Sequence, residues 1–177
     1  PIAHLQVIDD HVEKMLQHGI IKPAENSEWA SNVVLVRKAD NSLRFCVNFR
    51  QLNSITHKDS YPLPRIDTCM DALGGSSWFS SLDMRSGYWQ VEEADSEKAS
   101  FITRKGHWSF NVLAFGLCGA PSCFQKMANI VLAGLTWEVC LAYLDDIIIM
   151  GRTFDELLQR QKLVFDRLRN ANLKLNA

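Results

Sequence analysis

The first half of the chain shows two spacings of apolar residues, one typical of helices and one typical of strands. Apolar side chains recur at helical spacing over Leu5–Leu16 and stop before Gly19, which predicts an N-terminal helix that ends there. Apolar and polar residues then alternate over Leu43–Phe49. Together with the apolar run Val33–Arg37, this alternation predicts a β-hairpin that buries one face.

The second half repeats both spacings. A short helix is predicted near Ile66–Leu73, a buried strand over Trp78–Met84, and a further strand and hairpin up to about Val112. Pro121 suits the first turn of another helix, and Thr153-Phe154-Asp155-Glu156 is a capping-box pattern that opens a last one. Its inward-facing residues are expected to be Leu157, Leu158, Val164, Phe165 and Leu168. Helices and hairpins in this order indicate an α+β fold.

Two adjacent acids, Asp145 and Asp146, separate the apolar runs Val139–Leu144 and Ile147–Met150. This pattern predicts two strands joined by a tight turn, with the acids at or beside its tip. Neighbouring carboxylates repel each other and are costly to bury, so a cation is expected beside them. Mg²⁺ prefers oxygen ligands of this kind. For the dipeptide alone, a solvated turn is an equally good interpretation.

A third carboxylate, Asp83, lies near the end of the predicted strand Trp78–Met84 and on the same face as Phe79 and Ser81. If this strand lies beside the Asp145-Asp146 hairpin, three carboxylates converge. Such a set can hold two divalent ions about 4 Å apart, an arrangement that assists phosphoryl transfer. Taken alone, Asp83 would be better explained as a strand-end residue that caps the next turn.

Composition and charge narrow the class of protein. The chain has 177 residues, of which 47% are hydrophobic and 22% charged, as in ordinary globular proteins. The sequence contains no long apolar run and no signal peptide that would indicate a membrane protein or secretion. The five cysteines are odd in number and lack the CxxC spacing of a zinc site, which indicates reduced thiols in an intracellular protein. A net charge of −1 is unusual for a nucleic-acid binder. Residues 37–65 nevertheless carry an excess of four positive charges, which suits a local phosphate-binding face.

Several short motifs are more specific in their order and spacing than any of these patterns. They are Gly19-Ile20-Ile21-Lys22-Pro23, Arg44-Phe45-Cys46-Val47-Asn48-Phe49-Arg50-Gln51-Leu52-Asn53, Tyr61-Pro62-Leu63-Pro64-Arg65-Ile66-Asp67, Leu82-Asp83-Met84-Arg85-Ser86-Gly87-Tyr88, Phe115-Gly116-Leu117, Ala120-Pro121, Phe124-Gln125 and Tyr143-Leu144-Asp145-Asp146. Through them, nearly the whole chain resembles the reverse transcriptases of long-terminal-repeat retrotransposons, most closely the gypsy-like (metavirus) group.

The resemblance implies a particular α+β architecture: the fingers and palm of a right-hand polymerase, with an antiparallel palm sheet backed by helices. The fingers are expected at approximately residues 1–60 and 86–115, and the palm at approximately 61–85 and 116–177. The family's thumb, connection and ribonuclease H regions are expected to lie outside this sequence. Without them, the isolated sequence is expected to be weakly active or inactive.

The resemblance also implies roles for single residues. Asp83, Asp145 and Asp146 match the family's catalytic, metal-binding carboxylates, which implies two Mg²⁺ ions, with Mn²⁺ as a substitute. The positions implied to bind the dNTP are Lys38, Arg44, Ser86, Gly87, Tyr88 and Phe115. Among these, Tyr88 matches the residue that excludes a 2′-hydroxyl and Phe115 the opposite wall of the pocket. Arg37 is an alternative to Lys38.

Asn48 and Arg50 match positions that contact the template strand. The sequence departs from the family at three places: Asn48 stands where relatives usually have Asp, Ala114 where they have Pro, and Gly119 where they have Asn. None of these changes removes a catalytic group, so the site is expected to be intact.

The function implied is the core of an RNA-directed DNA polymerase. It would add dNTPs to a primer 3′-end on an RNA or DNA template, as part of a Pol polyprotein in the cytoplasm or a virus-like particle. One alternative is a non-catalytic nucleic-acid-binding relic of such an element. Another is a viral RNA-templated RNA polymerase, against which Tyr88 and Leu144 argue.

Overall fold

The computed structural model describes residues 2–25 and 27–176. Its helices are α1 (Ile2–Gln17), α2 (Arg50–Ile55), α3 (Ile66–Ala72), α4 (Ala120–Val131) and α5 (Phe154–Asn170), with a 3₁₀ helix at Gly87–Gln90. Its strands are β1 (Ile21–Pro23), β2 (Ser31–Arg37), β3 (Leu43–Val47), β4 (Trp78–Asp83), β5 (Ser100–Thr103), β6 (Gly106–Phe110), β7 (Cys140–Tyr143) and β8 (Asp146–Gly151). The mixture confirms the predicted α+β class.

The chain divides into two compact units. The first contains Pro1–Lys58 and Tyr88–Ala120, and the second contains Asp59–Gly87 and Pro121–Ala177. These bounds lie two to five residues from those expected for fingers and palm. The assignment of the units as fingers and palm stays a prediction.

The first unit is built on a five-stranded sheet of order β1-β6-β5-β2-β3. Neighbouring strands of this sheet are antiparallel, except that β2 and β5 are parallel. Val12 and Met15 of α1 are buried with Phe49, Phe101 and Phe110 in one apolar cluster, which confirms the helical stripe seen in the sequence. The helix ends where predicted, because Gly19 adopts a φ of +67°, a conformation that glycine accepts without steric cost.

The predicted hairpin of the first unit forms from β2 and β3, but its second strand ends at Val47 and not at Phe49. The chain turns there into α2, which the sequence analysis did not predict. The side-chain oxygen of Asn48 accepts a hydrogen bond from the backbone N–H of Arg50 at 3.3 Å, in the first turn of this helix. Because α2 has only six residues and buries only Leu52, its helical periodicity is too short to detect.

The second unit contains a three-stranded sheet of order β4-β8-β7, with α5 packed against β8 and β4. Leu157, Val164 and Leu168 are buried, as predicted. The prediction for Leu158 is wrong, because its side chain is 47% exposed. It lies about 100° around the helix from Leu157, outside the stripe that meets the sheet.

The cap of α5 differs in one bond from the predicted capping box. The Thr153 hydroxyl accepts the Glu156 N–H as expected, at 3.2 Å. The Glu156 carboxylate, however, accepts the N–H of Arg152, at 2.7 Å, and this bond is the largest cause that lowers its pKa. The reciprocal bond has therefore moved one residue towards the preceding strand.

The strand predicted over Trp78–Met84 forms as β4, but the expectation that this strand is buried is wrong. Trp78 and Phe79 at the start of β4 are 48% and 49% exposed. The reason is topological: β4 is the edge of its sheet and pairs with β8 on one side. Trp78 is partly covered by the ring of Phe154, at a centroid distance of 5.2 Å.

Two further expectations concern the thiols and the membrane. Among the described residues, no disulfide joins any of the five cysteines, and burial raises the pKa of the Cys140 thiol to about 11. Within the described ranges, no helix combines the length and apolar character needed to cross a membrane.

Candidate active site

The two adjacent acids lie at the tip of the β7–β8 hairpin, where the sequence predicted them. Leu144 and Asp145 form the turn and Asp146 is the first residue of β8. Leu144 has a φ of +52°, in the left-handed region that residues with a Cβ rarely adopt. Residues in such conformations persist only where their surroundings hold them, and they are concentrated at functional sites.

The strand that carries Asp83 lies directly beside this hairpin. Asp83 of β4 is the antiparallel partner of Asp146 of β8. One residue further, the N–H of Met84 donates to the carbonyl oxygen of Asp145 at 3.1 Å. The register therefore brings the three acids to one end of the sheet, although Asp83 is more than sixty residues from the other two in the sequence.

Asp145 is the most constrained of the three acids. It is half-buried, whereas Asp83 and Asp146 are exposed. Its Oδ1 atom is buried and has no hydrogen-bond partner among the described residues. Burial raises the pKa of Asp145, and the negative charges of Asp83 and Asp146 raise it further. A cation at this place would offset both effects, and carboxylate oxygens are the donors that Mg²⁺ and Mn²⁺ prefer.

The acids do not by themselves enclose a metal ion. In the part of the chain that the structure describes, no group of three or more His, Cys, Asp or Glu side chains is arranged to hold one. Mg²⁺ is usually bound through one or two carboxylates, with water and substrate phosphates completing its shell. The unpartnered Oδ1 of Asp145 and the paired positions of Asp83 and Asp146 fit such a partial ligand set.

Ser86 and Gly87, predicted to approach the dNTP, lie beside these acids in the second unit. A Cβ on Gly87 would lie 2.8 Å from Cζ of Phe124 and 2.9 Å from Oδ1 of Asp145. Any other residue at this position would therefore displace the aromatic ring or the carboxylate. Ser86 has a φ of +48°, which makes this segment the second strained turn at the site.

The other four residues predicted to bind the dNTP lie in the first unit. The rings of Tyr88 and Phe115 are in edge-to-face contact, with centroids 4.9 Å apart, and Phe115 is 47% exposed. Trp89 contacts the same Phe115 ring at 5.9 Å. The predicted sugar gate and the predicted pocket wall are therefore neighbours.

Lys38 and Arg44 lie at the tip of the β2–β3 hairpin. Arg44 is the partner of Val36 in the ladder, and the Lys38 N–H continues the ladder to the Ser42 carbonyl at 2.8 Å. Residues two apart on a strand share a face, so Lys38 and Arg44 lie on one side of the hairpin and Arg37 on the other. This register favours Lys38 over Arg37 as the companion of Arg44.

The remaining predicted positions are compatible with the fold. Asn48 and Arg50, predicted to contact the template, are both exposed. The bond that Asn48 makes uses only its side-chain oxygen, which an Asp would also supply. Ala114 is fully buried, and a Cβ on Gly119 would meet no atom within 4 Å.

Three residues that the sequence analysis left without a role support these positions. The side chain of Asn53 donates to the Gly116 carbonyl at 2.8 Å and accepts the Cys118 N–H at 2.9 Å, which holds the loop after Phe115. The fully buried Gln125 bonds to the β7–β8 turn. Asn176 donates from its side chain to the carboxylate of Asp83 and from its backbone N–H to the Asp83 carbonyl.

The sequence contained a signal for only one of the three. Gln125 lies within the apolar stripe of α4, beside Phe124 and Ala128, and a polar residue in such a stripe is informative. Asn53 and Asn176 act over 63 and 93 residues of sequence, and no apolar spacing marks them, although Asn53 ends one of the family motifs.

Solved structures identify this fold as that of a reverse transcriptase. The foamy viral protease-reverse transcriptase in complex with an RNA/DNA hybrid matches with a TM-score of 0.85 and 18% sequence identity, over 99% of this chain and 24% of that one. At this identity the match establishes the fold alone.

Sequence comparison then gives the family. The signature of the reverse transcriptase (RNA-dependent DNA polymerase) family matches residues 36–177, so the chain belongs to this family. It is 36% identical to the retrovirus-related Pol polyprotein from transposon 297 of Drosophila melanogaster, over 99% of this chain and 17% of the relative. It is also 32% identical to the retrovirus-related Pol polyprotein from transposon gypsy of the same species, over 96% of this chain and 17% of that relative. The chain thus spans under a fifth of these relatives, and the predicted resemblance is confirmed.

Proposed function

We propose that this chain is the core of an RNA-directed DNA polymerase that adds dNTPs to the 3′-end of a primer. The observation that carries the proposal is the pairing of Asp83 with Asp146 beside the half-buried Asp145, whose Oδ1 has no partner among the described residues. Three neighbouring acids repel one another, which costs stability, and perturbed acids of this kind are concentrated at functional sites.

In this proposal the three carboxylates hold two Mg²⁺ ions, which Mn²⁺ can replace. When bound, such ions lower the pKa of the attacking 3′-hydroxyl and neutralise charge that develops on the triphosphate. Asp145 belongs to the β7–β8 turn, and the absence of a side chain at Gly87 leaves space for its carboxylate. The backbone amides of Ser86 and Gly87 approach the triphosphate next to the acids.

In the proposal, residues of the first unit have the roles that the family resemblance implies. Lys38 and Arg44 bind phosphate oxygens, Arg44 through its bidentate fork. The Tyr88 ring, in contact with Phe115, excludes a ribose 2′-hydroxyl. The exposed Asn48 and Arg50 contact the template strand. The partners are thus a primed RNA or DNA template and dNTPs, within a Pol polyprotein that acts in the cytoplasm or in a virus-like particle.

The test is primer extension by a chimera in which this chain replaces the matching segment of a Drosophila Pol polyprotein. The unaltered chimera should extend a primed RNA template with dNTPs and Mg²⁺. Asp83→Asn and Asp146→Asn should each abolish extension, while the control Asp155→Asn, an exposed acid in the first turn of α5, should not. Extension retained in both Asp variants would contradict the assignment.

The same assay separates the alternatives. A non-catalytic relic would bind the primed template without extending it, and an RNA polymerase would extend the primer with NTPs in preference to dNTPs.

A further inference from the structure

The side chain of Gln125 is completely buried, and all of its polar atoms are used. Its Oε1 accepts the N–H of Leu144 at 2.8 Å, and its Nε2 donates to the Ala142 carbonyl at 3.0 Å. Nε2 also donates to Oδ1 of Asn129 at 3.1 Å. The amide of this one side chain therefore joins α4 to the end of β7 and to Leu144, the turn residue before Asp145.

The direction of these bonds follows from chemistry. A backbone N–H can only donate and a carbonyl can only accept, so the Gln125 amide has one orientation. Asn129 must then present its oxygen to Gln125 and its Nδ2 to the next partner. That partner is the hydroxyl oxygen of Tyr61, at 2.7 Å. The relay from Tyr61 through Asn129 to Gln125 has a single polarity that is imposed by the hairpin backbone.

We propose that Gln125 is a positioning residue for the carboxylate site, and that Asn129 and Tyr61 hold its amide in the orientation it needs. The bond to Leu144 stabilises a turn whose φ of +52° is unfavourable for leucine. The backbone conformation of Leu144 determines the positions of the two residues that follow it, Asp145 and Asp146. This inference rests on the proposed function for its catalytic consequence, but its structural part stands independently of that function.

The first variant removes the amide. Gln125→Leu has a similar volume and leaves the Leu144 N–H without its acceptor. Gln159→Leu, at an exposed position of α5 in the same unit, is the matched control. In the 177-residue chain, we expect hydrogen exchange at the Leu144 amide to accelerate by about tenfold or more in Gln125→Leu and to remain unchanged in the control.

In the chimera, the same variant should lower kcat for extension by about 10²-fold, with a much smaller change in KM for dNTP, because small displacements of catalytic groups act on the chemical step. A general loss of stability would instead reduce the fraction of active protein, which active-site titration measures. If Leu144 exchange and kcat both stay at the unaltered values in Gln125→Leu, the proposal is wrong.

A second pair of variants tests the polarity of the relay and remains informative if Gln125→Leu does not fold. Asn129→Asp keeps an oxygen for Nε2 of Gln125, and the Tyr61 hydroxyl can turn to donate to the other oxygen. Asn129→Leu removes the acceptor. We expect Asn129→Asp to keep Leu144 protected and Asn129→Leu to lose protection by several-fold. Equal behaviour of the two variants would overturn the relay.

The two proposals fail in different ways. If the unaltered chimera does not extend primers, the proposed function fails, while Leu144 exchange still tests the positioning role. If extension is normal and Leu144 exchange is insensitive to Gln125 and Asn129, only the positioning proposal fails.

Discussion

Each unit of this protein contains a constrained aspartate, and the two aspartates have opposite surroundings. Asp9 of the first unit is 2% exposed and is paired with Arg104, whose Nε lies 2.9 Å from its Oδ2; Lys105 is 3.9 Å from the same oxygen. The hydrogen bond from Arg104 lowers the pKa of Asp9. In the second unit, burial and two further carboxylates raise the pKa of Asp145.

The comparison contrasts an acid with a structural ion pair and an acid for which we propose a functional role. The charge of Asp9 is matched by cations of the same unit, and the ion pair connects α1 to the β5–β6 turn. The Oδ1 of Asp9, like that of Asp145, has no hydrogen-bond partner among the described residues, so the two acids differ in the charges around them and not in this unpartnered oxygen. The charges that act on Asp145 have its own sign. Protonation or a bound cation would stabilise a carboxylate in this situation.

The largest expected effect is the difference in primer extension between the two variants in which Asp145 or Asp9 is replaced by asparagine. Asp145→Asn should lower primer extension by the chimera at least about a thousandfold, because it removes a charge that the reaction uses. The same change should leave the melting temperature equal or higher in metal-free buffer, since repulsion among the acids is relieved.

Asp9→Asn should do the reverse. The melting temperature should fall because Arg104 loses its ionic partner, and extension per folded molecule should be preserved. Loss of extension per folded molecule in Asp9→Asn, or normal extension in Asp145→Asn, would remove the distinction between the two acids.

A smaller effect is expected at the predicted sugar gate. Tyr88→Val opens space beside Phe115 and should lower the preference for dNTP over NTP by about tenfold or more. Phe79→Val, which shortens an exposed aromatic of β4, is the control. The measurement is the ratio of kcat/KM for dATP and ATP on one template. An unchanged ratio in Tyr88→Val would mean that the Tyr88 ring serves in packing and does not select the sugar.

The ion pair of Asp9 should also give the first unit a pH dependence. Since the folded-state pKa lies below the ordinary value of 3.8, the stabilisation is fully present above that value and is lost as the pH falls through the folded pKa. Acid unfolding followed by circular dichroism should therefore shift to higher pH in Arg104→Gln. Overlapping acid transitions for the two proteins would mean that the ion pair does not stabilise the fold.

The smallest effect is expected on α5, where the predicted and observed faces differ. Leu158→Ala should change the free energy of unfolding by at most about 0.5 kcal/mol, because the side chain is exposed. Leu168→Ala should cost about 2–4 kcal/mol, because Leu168 is buried. Urea denaturation of both variants measures the difference, and equal costs would contradict the orientation of this helix.

Features that depend on residues close together in the sequence could mostly be predicted, and those that depend on distant residues mostly could not. Alternation and capping patterns act within a few residues, and they predicted β3, β8 and the start of α5. The proximity of Asp83 to Asp146 required only that two apolar strands be neighbours. The exposure of Trp78 depends on β4 being an edge strand, which no local pattern encodes. The bonds of Asn53 and Asn176 join distant segments and were invisible for the same reason.

The central claim is that the acids of the second unit recruit a divalent cation. Titration of the 177-residue chain with Mn²⁺, followed by electron paramagnetic resonance of the free ion, tests it without any need for catalysis. We predict saturable Mn²⁺ binding that Mg²⁺ displaces, that is lost in Asp145→Asn, and that is unaffected in Asp9→Asn. Binding that is equal in Asp145→Asn and the unaltered chain would contradict the account.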